Sequence, residues 1–286
     1  MSFFANWFSN DALLEKYGLK ANDAILADES KHMGLYEDLI QNCDAKLIAG
    51  GAAQNTARGA AYCLPAKSVV YIGAVGKDNY ADLLRQKNEE AGVRSEYRVE
   101  ENQPTGRCGV IITGHNRSMC THLAAANEYK LDHLKSPEIW KLVENATSYY
   151  VGGYHFTVCP DAIMALAEEA ASKNKIFALG MGAPFIPQFF QEPLDKSSPY
   201  WDYVMMNETE AEAWAGGHGM EGEKDVSKIA RKIAELPKKN EQRQRVVIIT
   251  QGTEETIAAV QGESDVKRFP VHVVGKEEIN DTNGAG

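Results

Sequence analysis

The segment YVMMNETEAEAWAG, residues 203–216, joins a short apolar strand to a helix through a polar junction. Tyr203–Met206 has the composition of a buried strand, and Glu208–Ala215 has helical spacing. Asn207 stands where a helix N-cap is expected, and Glu210, three positions later, completes the pattern of a capping box. A buried strand followed directly by a capped helix is typical of α/β proteins.

The same alternation continues on both sides of this segment. Candidate strands are Ala45–Ala49, Ser68–Ile72, Ala146–Val151, Ile176–Leu179 and Arg245–Thr250, and candidate helices are Gln54–Cys63, Ala81–Ala91, Pro160–Lys173 and Val226–Leu236. Strands that alternate with crossover helices predict an α/β fold with a mostly parallel sheet. Glycine-rich or polar residues follow several of these strands, and ligands bind beyond the carboxyl ends of strands in such sheets. We therefore expect the functional site at that edge.

A different pattern occupies the stretch between Arg94 and Leu123. Three short alternating segments, Ser95–Val99, Arg107–Thr113 and Ser118–Leu123, are separated by turn residues. This pattern predicts a small antiparallel element inserted into the α/β body. Such an element can act as a lid that excludes water from a closed site.

Composition excludes several classes of function. A chain of 286 residues with 44% hydrophobic and 24% charged residues is long enough for one large α/β domain or two small ones. The net charge of −10 argues against a nucleic-acid surface but allows a local pocket for a small phosphorylated ligand. The five scattered cysteines form no C-x-x-C pair, which predicts free thiols in a reducing compartment. We expect no secretory signal and no membrane span, since no apolar run approaches about 20 residues.

Three junctions carry residues suited to phosphate chemistry, and each also has a purely structural explanation. The small residues in Asp281–Gly286 suit either a backbone anion nest or an ordinary turn. Gly50 and Gly51 follow a strand, and the amide of Asn55 is placed either to bond a sugar hydroxyl or to sit in a tight strand–helix junction. The N-x-x-E of segment 203–216 suits either Mg²⁺ with its waters or the capping box alone.

In their order along the chain these segments resemble the ribokinase family of carbohydrate kinases, which is also called the PfkB family. The motifs are G-G-x-x-x-N, a lid ending in N-R-S, N-x-x-E, T-Q-G and D-T-x-G-A-G. Longer strings sharpen the resemblance to the adenosine kinases within that family: Glu15–Lys20, Gln103–Gly106, Asn116–Ser118, Leu123–Asn127, Ala183–Ile186, Asn207–Ala211 and Asp281–Gly286.

The resemblance implies ATP-dependent phosphorylation of the 5′-hydroxyl of adenosine to AMP, a purine salvage reaction that uses ATP as co-substrate and Mg²⁺ as cofactor. It implies a ribokinase-like sheet with helices on both faces. One domain would span residues 1–286, with lid segments near 18–30 and 94–126. It further implies a cytoplasmic protein, also found in the nucleus, that is monomeric when complete.

The resemblance also assigns roles to individual residues. Phosphate contacts fall to a backbone anion hole and its surroundings: Gly284, Ala285, Gly286, Thr282, Asn283, Arg117, Thr250 and Gly252. The magnesium–phosphate cluster falls to Asn207 and Glu210. Adenosine contacts fall to Gly50, Gly51 and Asn55 for the ribose and to Met119, Thr121 and His155 for the base.

Several features depart from the family pattern. The G-N-P-x-x-D segment, whose aspartate clamps the ribose, is absent, and we expect its strand to be missing. The sequence ends at Gly286, before the position of the catalytic aspartate, so we expect slow transfer by the chain as written, because a general base contributes about 10²–10⁴-fold. His155 stands where the family has a base-stacking phenylalanine, and Gly180 where it has the asparagine before A-P-F.

Alternatives to an active adenosine kinase follow from these departures. The first is a non-catalytic nucleoside- or nucleotide-binding remnant or a fragment. The second is a sugar kinase of the same family, which the L-A-A-A-N and A-P-F-I strings disfavour. We also expect His155, with an ordinary pKa of about 6.5, to make binding pH-dependent between about pH 5.5 and 7.5. A rival assignment gives base stacking to Tyr154, since neighbours on an extended strand face opposite ways.

Overall fold

The computed structural model describes the backbone of residues 2–4 and residues 11–43, 45–114, 116–272 and 274–275. The chain divides into two compact units, one formed by Met1–Tyr129 with Val274–Gly286 and the other by Lys130–Val273. The organisation as a single domain with lid segments near 18–30 and 94–126 stays a prediction.

The first unit combines short strands with four helices in its described part. Its strands are β1 (Ser2–Phe4), β2 (Ala24–Leu26), β3 (Lys46–Ile48), β4 (Val69–Gly76), β5 (Val93–Glu100), β6 (Arg107–Thr113) and β7 (Asn116–His122). Its helices are α1 (Asp11–Tyr17), α2 (Glu29–Asn42), α3 (Ala52–Cys63) and α4 (Asn79–Glu90), followed by a 3₁₀ turn at Ala124–Glu128.

The strands of this unit form two sheets. Five strands lie in the order β2-β7-β6-β1-β3, in which β6 and β7 are an antiparallel hairpin. Strand β5 lies outside that sheet and pairs in parallel with β4. The prediction that Ser95–Val99 belongs to the antiparallel element is therefore wrong. Helix α4 connects β4 to β5 as a crossover, which brings the two strands side by side in the same direction.

The N-terminal residues also depart from expectation. Ser2–Phe4 forms a strand between β3 and β6, antiparallel to β3 and parallel to β6. The expectation that no strand stands in this region is wrong. The G-N-P-x-x-D sequence of the family is nevertheless not present there.

Helix α2 covers one face of the β6–β7 hairpin. The apolar cluster beneath it contains Leu35, Tyr36 and Leu39 from the helix and Ile111 and Cys120 from the hairpin. The Tyr36 hydroxyl donates a hydrogen bond to the Cys120 carbonyl at 3.1 Å. Because side chains alternate along a strand, the residues next to Cys120 and Ile111 point to the other face of the hairpin.

The second unit is built on a six-stranded sheet. Its strands are β8 (Ser148–Gly152), β9 (Ile176–Gly180), β10 (Tyr203–Asn207), β11 (Val246–Gln251), β12 (Glu254–Val260) and β13 (Lys267–Phe269). Its helices are α5 (Leu131–Lys135), α6 (Pro137–Asn145), α7 (Pro160–Ser172), α8 (Phe185–Phe189), α9 (Gln191–Ser197), α10 (Glu208–Gly216) and α11 (Val226–Ala234), with 3₁₀ turns at Gly153–Thr157 and Ser198–Tyr200.

Parallel pairing dominates this sheet. Strands β8, β9, β10 and β11 run parallel, and β12 and β13 then extend the sheet with antiparallel pairs. The predicted α/β fold with a mostly parallel sheet is confirmed. No helix in the described part of the chain is both long and apolar enough to cross a membrane.

The fully buried guanidinium of Arg245 ties three parts of this unit together. It donates to the Trp201 and Ser198 carbonyls, at 3.1 and 2.7 Å, just before β10. It also donates to the carbonyls of Ile233, Leu236 and Pro237, at 3.1, 2.6 and 3.1 Å. These last groups include carbonyls at the end of α11, which have no partner within the helix itself. Arg245 therefore fixes the start of β10 and β11 against the end of α11.

Replacing Arg245 with methionine should destabilise the second unit strongly. The change leaves several buried carbonyls without donors, and each such group costs about 1–3 kcal/mol. We expect the free energy of unfolding to fall by about 3 kcal/mol or more in urea titrations followed by circular dichroism. Arg231→Met is the control, since the exposed Arg231 donates only a long bond of 3.3 Å to the Ser264 carbonyl. Equal stabilities of the two variants would contradict the role given to Arg245.

Candidate functional site

The carboxyl ends of four parallel strands meet at one edge of the second unit. Gly152 of β8 pairs in register with Gly180 of β9, and Asn207 of β10 with Thr250 of β11. The structure thus brings the predicted phosphate residues Asn207 and Thr250 side by side. Polar residues at this edge can contact a ligand without disturbing the apolar strand interiors.

Asn207 and Glu210 form a reciprocal capping box at the start of α10. The side-chain oxygen of Asn207 accepts from the Glu210 amide at 2.8 Å, and a carboxylate oxygen of Glu210 accepts from the Asn207 amide at 2.9 Å. The Thr209 hydroxyl also donates to the Asn207 oxygen, at 2.8 Å. The predicted capping box is confirmed, and it fixes both side chains at the strand end.

The capping geometry leaves Glu210 in an unusual electrostatic position. Its side chain is buried, and this burial raises the pKa of the carboxyl above its ordinary value, although the bond from the Asn207 amide opposes the shift. A desolvated carboxylate at a ligand-binding edge favours a nearby cation. The described residues contain no group of three acidic, histidine or cysteine side chains arranged around a metal. The single carboxylate of Glu210 beside Asn207 fits Mg²⁺, an ion that keeps most of its waters and uses one or two carboxylates.

Thr250 and Gly252 lie at the end of β11. Thr250 is exposed next to Asn207, and Gly252 lies in the short turn that leads into β12. The β11–β12 pairing shifts register between Ile249 and Gln251, which is a β-bulge at the end of the strand. Bulges re-aim side chains and are common beside active sites.

Beyond β8 the chain enters a 3₁₀ turn, Gly153–Thr157, that holds the aromatic residues of the predicted base site. A Cβ on Gly153 would lie 1.8 Å from the Met181 carbonyl oxygen, so only glycine fits this close approach. The Tyr154 ring packs edge-on against Phe185 of the A-P-F string, with ring centroids 5.5 Å apart. The rival assignment assumed an extended strand at Tyr154 and His155, and that premise is wrong.

His155 is largely removed from solvent, and burial lowers its pKa to about 4. The imidazole is therefore neutral from pH 5.5 to 7.5, and the expected charge change in that window is wrong. The reference pKa of an exposed histidine did not include the cost of burying the charged form. A neutral ring keeps an aromatic face suitable for stacking.

Gly180 departs from the family's asparagine, and the structure shows what fills the space. A Cβ at position 180 would lie 2.2 Å from the hydroxyl oxygen of Tyr150 on the neighbouring strand β8. Tyr150 thus occupies the volume that a side chain on residue 180 would need. An asparagine at position 180 would require the Tyr150 side chain to move.

The remaining described candidates lie in the first unit. Gly50 and Gly51 separate β3 from α3, and Asn55 is exposed in the first turn of that helix. Gly51 has a φ of +103°, a conformation that side chains rarely adopt, and it is the N-cap of α3. The strand–helix junction predicted here is confirmed, while the ribose contacts stay a prediction.

The lid residues occupy one face of the β6–β7 hairpin. Arg117, Met119 and Thr121 alternate with the buried Ser118 and Cys120, so all three share the face turned away from α2. The Thr121 hydroxyl donates to the Cys108 sulfur at 3.3 Å, across the hairpin on that same face. The predicted phosphate contact Arg117 and the predicted base contacts Met119 and Thr121 therefore lie on the same face of the hairpin.

Five predicted residues lie outside the described residues: the anion hole Gly284, Ala285 and Gly286, and the neighbouring phosphate contacts Thr282 and Asn283. Sequence reasoning also missed a set of polar residues beneath the Gly50-Gly51 junction, namely Gln54, Arg58, Asn88 and Tyr97. A signal existed, because Gln54 and Arg58 are four residues apart and share one face of α3.

The chain is similar to a known protein family and to known proteins. The pattern of the pfkB family carbohydrate kinases matches residues 11–286. The chain is similar to adenosine kinase of Schizosaccharomyces pombe, at 47% identity over 96% of this chain and 79% of that protein. It is similar to adenosine kinase 2 of Arabidopsis thaliana, at 44% identity over 97% of this chain and 79% of that protein.

Solved structures give the same result. Adenosine kinase of Anopheles gambiae, in complex with P1,P4-di(adenosine-5) tetraphosphate, superposes with a TM-score of 0.95 at 39% identity, covering 99% of this chain and 82% of that one. Adenosine kinase of Schistosoma mansoni, in complex with adenosine, superposes with a TM-score of 0.91 at 31% identity, with the same coverages of 99% and 82%.

The depressed pKa of His155 predicts a loss of stability in acid. Between pH 6.5 and about 4 the unfolded chain binds a proton at this position that the folded protein does not, so stability present above pH 6.5 is lost as pH falls. The melting temperature should drop between pH 7.5 and 5, and His155→Phe should reduce that drop by about 2–4 °C. His155→Gln tests the same point with a smaller side chain. Replacing the exposed His272 with Gln is the control, and an identical drop in all variants would refute the assignment.

Proposed function

The chain belongs to the pfkB family of carbohydrate kinases, and we propose that it transfers the γ-phosphate of ATP to the 5′-hydroxyl of adenosine. The products are AMP and ADP. The observation that carries this proposal is the match of almost the whole chain to curated relatives that are adenosine kinases. The proposal also holds that the protein is located in the cytoplasm and is a monomer.

On the nucleoside side, the chain's own residues bind and orient the acceptor. Gly50 and Gly51 allow the ribose to approach the backbone closely, and Asn55 donates to a ribose hydroxyl. Met119 and Thr121, on the hairpin face turned away from α2, are assigned contacts with the base, and the resemblance assigns the neutral ring of His155 a stacking role. Holding the 5′-hydroxyl in one position lowers the entropic part of the barrier.

On the nucleotide side, Asn207, Thr250 and Gly252 line the phosphates at the carboxyl edge of the second unit's sheet, and the resemblance assigns Arg117 of the hairpin a phosphate contact. Phosphoryl transfer depends mainly on positioning and on neutralising charge, and little covalent chemistry is asked of the protein. The buried carboxylate of Glu210 would hold Mg²⁺ through water, with Asn207 beside it. When bound, the ion neutralises charge on the phosphate oxygens.

The proposal predicts adenosine-specific chemistry. With ATP and Mg²⁺, the protein should form AMP and ADP in equal amounts from adenosine, at the slow rate expected for the chain as written, and it should form far less product from ribose or fructose. Nucleotide formation is measured by ion-exchange chromatography, and binding of adenosine and ribose by titration calorimetry. Preference for a free sugar would overturn the proposal in favour of a sugar kinase. Adenosine binding without AMP would instead favour a non-catalytic nucleoside-binding protein.

A second prediction separates the two roles of Glu210. Glutamine at this position can still accept from the Asn207 amide, so Glu210→Gln keeps the capping box but removes the charge. We expect an increase of about tenfold or more in the Mg²⁺ concentration required for half-maximal activity, with adenosine affinity within about twofold of the unmutated protein.

The matched control for that prediction is Glu208→Gln. It removes one charge from the same helical turn, outside the capping box. Its magnesium dependence should match that of the unmutated protein. If Glu210→Gln also shows unchanged magnesium dependence, Glu210 serves only as a cap.

A further inference from the structure

A hydrogen-bond network lies directly beneath the Gly50-Gly51 junction, and Arg58 of α3 is its centre. One terminal nitrogen of Arg58 donates to the Ala49 carbonyl at 2.7 Å, at the end of β3. The same nitrogen makes a short hydrogen bond to the side-chain oxygen of Asn55. Arg58 therefore joins the two sides of the glycine junction, the strand end before it and the first helical turn after it.

The contact with Asn55 sets the orientation of that amide. Since the side-chain oxygen of Asn55 accepts from Arg58, the two N–H groups of the amide face away from the guanidinium. Asn55 is exposed, so these donors are presented at the surface of the junction. An amide that is not held in this way can turn over and present its oxygen, because the two ends have nearly the same shape.

The guanidinium is itself held in place by buried partners. Its other terminal nitrogen donates to the side-chain oxygen of Asn88 at 2.9 Å. Asn88 is fully buried on α4, and its amide nitrogen contacts the Gln54 oxygen at 3.0 Å and the Tyr97 hydroxyl at 3.0 Å. Tyr97 in turn donates to the same Gln54 oxygen at 2.5 Å. Helix α4 and strand β5 thereby brace Arg58 from behind.

The network also reaches the glycines. The Gln54 amide nitrogen lies 3.3 Å from the point where a Cβ on Gly51 would stand, and it donates a long bond of 3.4 Å to the Gly50 carbonyl. The Gly51 carbonyl accepts from the backbone N–H of Asn55 at 2.8 Å. Gly51 is thus two hydrogen bonds from Arg58, through Asn55, and Gly50 is three, through Asn88 and Gln54.

We infer that Arg58 is a positioning residue for the ribose subsite, acting by locking the Asn55 amide with its donors toward the nucleoside hydroxyls. The inference rests on the proposed function, since it concerns how that site recognises a ribose. Arg58 itself contacts Ala49, Asn55 and Asn88 and is not assigned a contact with the substrate. Its effect should appear as selectivity for ribose over deoxyribose.

The test measures binding of adenosine, 2′-deoxyadenosine and 3′-deoxyadenosine by titration calorimetry to the full chain and its variants. Arg58→Met removes the donors while keeping much of the side-chain bulk. The preference for adenosine over at least one deoxy analogue should fall by about fivefold to tenfold, the range expected for one hydrogen bond. Arg58→Lys, which keeps a donor and the charge, should restore part of the preference.

Two further variants separate positioning from a general loss of structure. In an Asn55→Ala background, Arg58→Met should have little additional effect on the preference, whereas a purely structural role would give additive losses. Arg85→Met is the matched control, because Arg85 stacks over the Tyr97 ring at 5.5 Å and leaves the contacts of Arg58 in place. The control should keep the full preference.

The outcomes are distinguishable. Failure of the unmutated protein to bind adenosine would overturn the proposed function and this inference with it. Normal binding by the unmutated protein, with an unchanged preference in Arg58→Met, would overturn the inference alone. Additive losses in the double variant would overturn it as well, since they would assign Arg58 to the stability of the junction.

Discussion

The predicted phosphate residues Asn207 and Thr250 lie side by side because β10 and β11 pair in parallel register. Buried Arg245 fixes where these two strands begin. Thr250 lies five positions after Arg245, near the far end of β11, and Asn207 is the last residue of the partner strand. A slip of one residue would reverse every side chain along β11. The carbonyls bound by Arg245 lie before β10 and after α11, so the guanidinium resists that slip at one end of the sheet. Site geometry at the opposite end follows from it.

Under the proposed function, Asn207 and Glu210 serve stability and chemistry through one local motif. The capping box satisfies donors of α10 that the helix cannot satisfy itself, and in doing so it holds a carboxylate at the strand end. Burial raises the pKa of that carboxyl, because an unpaired negative charge is unfavourable away from water. A nearby cation therefore stabilises the charged form. The capping box and the proposed magnesium role therefore do not compete, because the cap holds the buried carboxylate in position.

How far the sequence predicts this protein depends on the range of the interactions involved. Strand β10 and the start of α10 were predictable within a residue, because apolar runs and capping residues are local signals. The pairing of Ser95–Val99 was not, since alternation is the same in parallel and antiparallel strands. Arg58 escaped notice because its partner Asn88 lies thirty positions away and only the packing of α4 brings it near. The neutral state of His155 likewise required knowledge of its burial.

The two glycine junctions, Gly51 in the first unit and Gly153 in the second, solve different problems. Gly153 is required by contact, since any side chain would collide with the Met181 carbonyl, and its neighbours are packed aromatic rings. Gly51 is required by its backbone conformation, and its surroundings are polar and hydrogen-bonded. Packing alone can hold the first junction, because apolar contacts exclude alternatives by volume. A polar junction has no such restraint and needs a directional network to select one orientation, and the Arg58 network beneath Gly51 supplies it.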